Sequence, residues 1–86
     1  MNTKEVAAHY EAKVFDSKEA ALGAGFVLTD TLTTRNTWNK ASAAQAIIHK
    51  LLAKKRQGET IQLGLVIEPQ GVTGCYKQNE GGGTEG

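Results

Sequence analysis

The side chains best suited to catalysis are few in this chain. There are two histidines, His9 and His49, which lie forty residues apart, and one cysteine, Cys75. A nucleophile or a general acid–base pair needs partner groups within hydrogen-bond reach. His49 falls on the flank of a predicted helix, where a solvated histidine is expected. Cys75 falls in a predicted exposed loop or edge strand, with no nearby histidine to lower its pKa. We therefore predict no catalytic residues and no enzyme.

Metal and phosphate sites are not indicated by the spacing of the candidate ligands. One cysteine and two scattered histidines do not supply a metal-ligand pattern. Gly23 and Gly25 follow a predicted helix instead of preceding one, which is the wrong side for a glycine-rich anion cradle. We expect neither a metal nor a cofactor.

The charges are distributed in three blocks, although the net charge is only +1. Residues 1–30 have a net charge of −2 and residues 59–86 a net charge of −3. The block between them contains no acidic residue, and asymmetry of this kind suggests a binding surface. A simpler explanation is that lysines near a helix C-terminus complement its dipole. The basic residues of the block are Arg35, Lys40, Lys50, Lys54, Lys55 and Arg56.

Two functions suit this block. The first is a non-catalytic binding or regulatory protein acting by protein–protein contact, a class that includes inhibitors of host complexes carried by phages and mobile elements. The alternative is a nucleic-acid-binding protein that uses the basic 35–56 surface. Its cations would bind phosphates, and Trp38 would stack on a base. The other interpretation of Trp38 is that it packs beneath the start of the helix as part of the core. The sequence pI of about 7.9 is below the range usual for such binders. The predicted binding surface consists of Arg35, Trp38, Lys40, Lys50, Lys54 and Arg56.

One long helix, at about 39–57, is predicted to carry much of this surface. Thr37 or Asn39 would cap it, and Gly58 would end it. Its buried stripe is predicted to be Ala41, Ala44, Ile48, Leu51 and Leu52. Its outward face is predicted to be Ser42, Ala43, Ala46, Lys50, Ala53 and Lys54.

A strand follows the long helix. Apolar and polar residues alternate from Ile61 to Glu68, and this is the clearest strand pattern in the chain. Gly64 within it predicts a bulge or the close approach of another backbone. Residues 72–77 are predicted to add a short edge strand.

The first part of the chain is less distinct. Residues 3–15 fit either a helix or a strand, and the alternation favours a strand over 9–15. Asp16 is the expected cap of a short helix at about 17–23, with Glu19 completing a capping box.

A second strand is predicted from Phe26 to Thr34. The pattern places Phe26, Leu28 and Leu32 on one face together with Asp30. Since an unpaired buried carboxylate is costly, Asp30 should lie near a sheet edge or find a donor.

These elements predict an α+β fold, in which a single-layer sheet of three to four mostly antiparallel strands is packed by the long and short helices. Residues 1–78 would form one small domain, and 79–86 a disordered Gly-rich tail. A core this small would gain from a homodimer. With no signal peptide, no membrane span and a single cysteine, we expect a cytoplasmic protein whose partners are another protein, a second copy or nucleic acid, and not a membrane.

Overall fold

The fold is taken from a computed structural model, which describes residues 2–78 except for the side chains of Thr37 and Trp38. The predicted Gly-rich tail at 79–86 lies outside the described residues. The helices and strands are α1 (Thr3–His9), β1 (Lys13–Phe15), α2 (Lys18–Gly23), β2 (Val27–Thr33), α3 (Thr37–Lys54), β3 (Ile61–Glu68) and β4 (Gly71–Gln78). They alternate along the chain as far as β3, and a second strand follows β3 directly.

The strands form one mixed sheet in the order β1-β3-β4-β2. β4 pairs antiparallel with both β2 and β3, while β1 pairs parallel with β3. The predicted α+β class with mostly antiparallel strands is confirmed. β4 was predicted as an edge strand, and this is wrong because it has a hydrogen-bonded neighbour on each side.

Hydrophobic clusters lie on both faces of the sheet. On one face, which we call the α3-side face, α1 and α3 pack against Leu63, Leu65 and Val72 to form the α3-side cluster. On the other face, the short α2 helix contributes Ala21 to a smaller cluster. That second cluster, which we call the α2-side cluster, consists of Phe15, Ala21, Phe26, Val66 and Cys75. The long and short helices therefore lie on opposite faces.

Residues 3–15 contain both a helix and a strand. Asn2 and Glu5 form a capping box that begins α1, because each side chain accepts a hydrogen bond from the other residue's backbone N–H. After α1 the chain turns through Glu11, whose φ of 57° lies in the left-handed region. The strand predicted over 9–15 is therefore wrong for its first residues, and β1 covers only Lys13–Phe15.

The short helix is confirmed with a different cap. Ser17 is the N-cap residue, and its Oγ accepts a hydrogen bond from the Ala20 N–H over 3.1 Å. Asp16, the predicted cap, lies one residue before it. Gly25 turns the chain after the helix with a φ of 88°, a conformation that favours glycine.

The long helix spans Thr37–Lys54 instead of 39–57. The N-cap is Asn36, which makes no side-chain capping hydrogen bond, so both predicted caps lie inside the helix. The helix ends earlier than predicted because Lys55 has a ψ of 135° and leaves the helical conformation. Gly58, with a φ of 86°, lies in the turn that follows.

The buried face of α3 is wider than the predicted stripe. Ile47 and Ala43 are buried, although Ala43 was predicted on the outward face. Leu52 was predicted in the core but is 39% exposed. The reason is that α3 packs against α1 as well as the sheet, so its contacts extend beyond the single stripe that one flat neighbour would bury.

β2 contains an irregularity that changes the face of its side chains. Its register with β4 shifts between Leu28 and Thr31. Leu28 packs against the α2-side cluster, whereas Leu32 packs against the α3-side cluster. The prediction that these two leucines share a face is therefore wrong, because an extra residue in one strand reverses the alternation.

Gly64 in β3 is required by side chains and not by a bulge. The pairing of β3 with β4 is continuous through it. A Cβ at this position would lie 2.6 Å from Cys75 Sγ and 3.0 Å from the Phe26 ring. The close approach that the sequence predicted is therefore made by two side chains instead of another backbone.

Candidate binding surface

The C-terminal half of α3 brings two predicted surface residues onto one carboxylate. Asp30 Oδ2 on β2 lies 3.6 Å from Lys54 Nζ and 4.0 Å from Lys50 Nζ. All three side chains are exposed, so each pair contributes about 0–1 kcal/mol to stability. The block that lacks acids in the sequence thus has an acid beside it in the fold. The expectation that Asp30 finds a donor is confirmed.

A second carboxylate lies in the turn after α3. Glu59 Oε1 accepts a hydrogen bond from the Arg56 backbone N–H over 2.9 Å, and Oε2 accepts one from Gln78 Nε2 over 2.9 Å. These two hydrogen bonds lower the pKa of Glu59 because they favour the ionised carboxylate. We call Asp30, Lys50, Lys54, Arg56 and Glu59 the α3 C-terminal surface.

The other predicted residues lie at the opposite end of α3. Arg35 is exposed before the helix, and Lys40 is half-buried in its first turns, beside Asn2 and Thr3 at the start of α1. Trp38 lies in the first turn, and its side chain is outside the described part of the structure. Fourteen residues at the helical rise place Lys40 about 21 Å from Lys54 along the helix. The six predicted residues therefore lie in two separate groups.

The acidic part of the α3 C-terminal surface is not apparent from the distribution of charge along the chain. Asp30 precedes α3 in the chain and Glu59 follows it, so both fall outside the basic block when charge is counted by segment. The signal that could have found Asp30 was its position between Leu28 and Leu32, which led to the expectation that it lies near a sheet edge or finds a donor.

The residues that were weighed for catalysis are held in structural contacts. Tyr10 Oη and His49 Nε2 share a hydrogen bond of 2.8 Å, and His9 packs edge-on to the same tyrosine ring. Cys75 is fully buried in the central strand β4, so its predicted exposure is wrong. Burial raises its pKa from 9.0 to about 11, which leaves the thiol protonated at neutral pH.

Within residues 2–78, no cluster of three or more histidine, cysteine, aspartate or glutamate side chains is placed to hold a metal ion. In the same part of the chain, no helix has both the length and the apolar character needed to cross a bilayer.

Comparison of the chain with protein-family models, curated proteins and solved structures finds no significant match in any of the three.

Proposed function

We propose that this chain is a non-catalytic binding protein that contacts another protein through the α3 C-terminal surface. The observation that carries this proposal is the pairing of Asp30 with Lys50 and Lys54. Asp30 and Glu59 place negative charges among the cations, so this surface carries charges of both signs. Alternating charges of this kind are suited to a complementary protein surface, where they determine register and exclude wrong partners.

Nucleic-acid binding is the second candidate, and the same observation weighs against it. A nucleic-acid surface gains affinity from cations that replace counterions on phosphates. A carboxylate 3.6 Å from Lys54 and 4.0 Å from Lys50 would be brought close to those phosphates and would repel them. Only Arg35, Lys40, Lys55 and Arg56 of the basic block remain without an ion pair among the described residues.

The biological role of the contact stays a prediction. We expect the binding to be regulatory, as in inhibitors of host complexes from phages and mobile elements, and to take place in the cytoplasm. A homodimer also stays a prediction, since it rests on the small size of the core.

Affinity capture from native lysate tests the proposal. The wild-type chain and the triple variant Lys50→Gln, Lys54→Gln, Arg56→Gln would each be used as bait, with nuclease added to half of the samples. We expect a partner protein that survives nuclease with the wild type and decreases at least about fivefold with the triple variant, since one complementary charge pair at an interface is worth about 1 kcal/mol or more.

The matched control removes the same number of charges elsewhere. Lys4→Gln, Lys13→Gln, Lys18→Gln alters exposed lysines of α1, β1 and α2 and should retain the partner at the wild-type level. Equal loss with both variants would mean that net charge matters and this surface does not. Recovery of nucleic acid that disappears with nuclease, along with every captured protein, would favour the second candidate.

A further inference from the structure

A second group of cations lies on the sheet face opposite α3. In the β1–β3 register Lys13 pairs with Gly64, and in the β3–β4 register Lys77 pairs with Gln62. Lys13 lies two residues from Phe15, and Lys77 two residues from Cys75, and both of those residues belong to the α2-side cluster. Because side chains alternate along a strand, both lysines emerge on this face. Their backbones lie about 10 Å apart across the sheet and about 7 Å apart along the strand direction.

The two lysines border a shared cleft, which we call the lysine cleft. Its remaining lining residues are Ala24, Phe26 and Gln62. The cleft measures about 230 Å³, somewhat below the range of pockets that bury a drug-sized molecule. Its size therefore suits a small ligand or one small group of a larger molecule.

The two lysines of the lysine cleft form no ion pair within the described part of the chain. Among the described residues, no carboxylate lies within 4.0 Å of Lys13 Nζ or Lys77 Nζ. Lys77 Nζ donates one hydrogen bond to the Ala24 carbonyl over 3.2 Å, and Lys13 Nζ lies 5.9 Å from the Phe15 ring centroid. An ammonium has three donors, so each lysine keeps hydrogen-bonding capacity for an anion.

The cleft contrasts with the α3 C-terminal surface. There Lys50 and Lys54 face Asp30, so an incoming anion would meet a carboxylate. In the lysine cleft, the lining residues are two cations, one amide and two apolar side chains, and none of them is acidic. The lining of this cleft thus favours a negatively charged group within it.

We propose that the lysine cleft binds the phosphate group of a small phosphate monoester. At neutral pH such a group carries a charge of about −1.5 to −2. A carboxylate carries a single negative charge, so two ammonium groups match a phosphate group better. Lysine binds phosphate as a point charge and does not need the planar fork of arginine. The organic part of the ligand would contact Ala24 and Phe26, the apolar residues that line the cleft. This inference is independent of the protein contact proposed for α3.

NMR titration of the ¹⁵N-labelled chain tests the inference. The probes are inorganic phosphate, glycerol phosphate and acetate, each at constant ionic strength. We expect glycerol phosphate to shift the amides around Lys13, Gln62 and Lys77, with a dissociation constant at least about tenfold lower than that of acetate. In Lys13→Gln, Lys77→Gln this affinity should fall at least about tenfold, which corresponds to about 1.4 kcal/mol.

The control variant Lys4→Gln, Arg35→Gln removes two exposed charges that do not line the cleft and should bind glycerol phosphate as the wild type does. Lowering the pH from 7.5 to 5.5 should weaken binding, because the second phosphate proton has a pKa of about 6. Equal shifts with acetate, or equal loss in both variants, would overturn the proposal. Tighter binding of a short oligonucleotide that also shifts the α3 amides would overturn it in favour of nucleic acid.

Discussion

At the scale of single residues, Gly64 and Cys75 show how one position in a strand depends on its neighbours. Gly64 leaves room for the Cys75 sulfur and for the Phe26 ring, which packs edge-on against Phe15 with ring centroids 5.0 Å apart. Protein interiors are close-packed, so a methyl group has no free volume to enter here. The small cluster beneath α2 depends on this missing side chain.

Gly64→Ala should therefore destabilise the fold. The new Cβ would lie 2.6 Å from Cys75 Sγ, and the displaced side chains should cost about 1–3 kcal/mol of unfolding free energy. Chemical denaturation followed by circular dichroism measures this change. Gly23→Ala is the matched control, because no atom lies within 4 Å of its Cβ position, and it should keep or slightly raise stability. Equal stability of the two variants would contradict the packing described for Gly64.

Single-residue predictions succeeded where the physical demand was local. Asp30 was expected near a sheet edge or beside a donor, and it lies on the edge strand β2 within 4.0 Å of two lysines. The predicted exposure of Cys75 is wrong because its burial depends on the two strands that pair with β4. Nothing in residues 71–78 indicates that β4 has a neighbour on each side. The grouping of Lys50 with Asp30 likewise depends on the approach of α3 to β2.

At the scale of elements, α1 is attached to α3 by both packing and a hydrogen bond. Val6 and Ala7 are buried in the same cluster as the apolar face of α3. At the end of α1, Tyr10 bonds to His49 in the middle of α3. Since a helix of seven residues is not stable alone, these contacts determine whether α1 forms.

Tyr10→Phe should loosen this junction while retaining the ring. We expect a loss of about 0.5–1.5 kcal/mol of unfolding free energy, the usual net value of one hydrogen bond. Hydrogen exchange should also show faster exchange of the α1 amides than in the wild type. Tyr76→Phe is the control, since the Tyr76 hydroxyl makes no hydrogen bond to another described residue. If the two variants lose the same stability, the Tyr10–His49 hydrogen bond contributes nothing.

The elements differ in how far their sequences define them. β3 follows the predicted bounds because alternation and a preceding glycine turn act together over Ile61–Glu68. Residues 3–15 satisfy a helical and an alternating pattern at once, and the left-handed turn at Glu11 that separates α1 from β1 has no glycine to mark it. The shift within β2 leaves no trace in composition, because threonine suits either face of a strand.

At the scale of the whole molecule, sheet order determines which charges meet. β2 is an edge strand, and α3 packs over the α3-side face near it, which brings Asp30 under Lys50 and Lys54. Among residues 2–78, the short α2 helix is the element that covers the opposite face, and Lys13 and Lys77 are exposed there. The sequence predicted the fold class and a basic block. It did not predict that the fold places an acid beside that block and a separate lysine pair on the reverse side.

The protein-contact proposal depends most on Asp30, so Asp30→Asn is its most direct test. This substitution keeps the shape of the side chain and removes the charge that compensates two lysines. A surface that binds protein would lose a charge that matches the partner, so binding should weaken. A surface that binds nucleic acid would gain two uncompensated cations, so binding should strengthen. The two functions therefore predict opposite changes in binding. Affinity capture with wild-type and Asp30→Asn baits, in lysate with and without nuclease, measures that change. We predict reduced capture of a nuclease-resistant partner protein by Asp30→Asn; increased recovery of nucleic acid with unchanged protein capture would contradict the account.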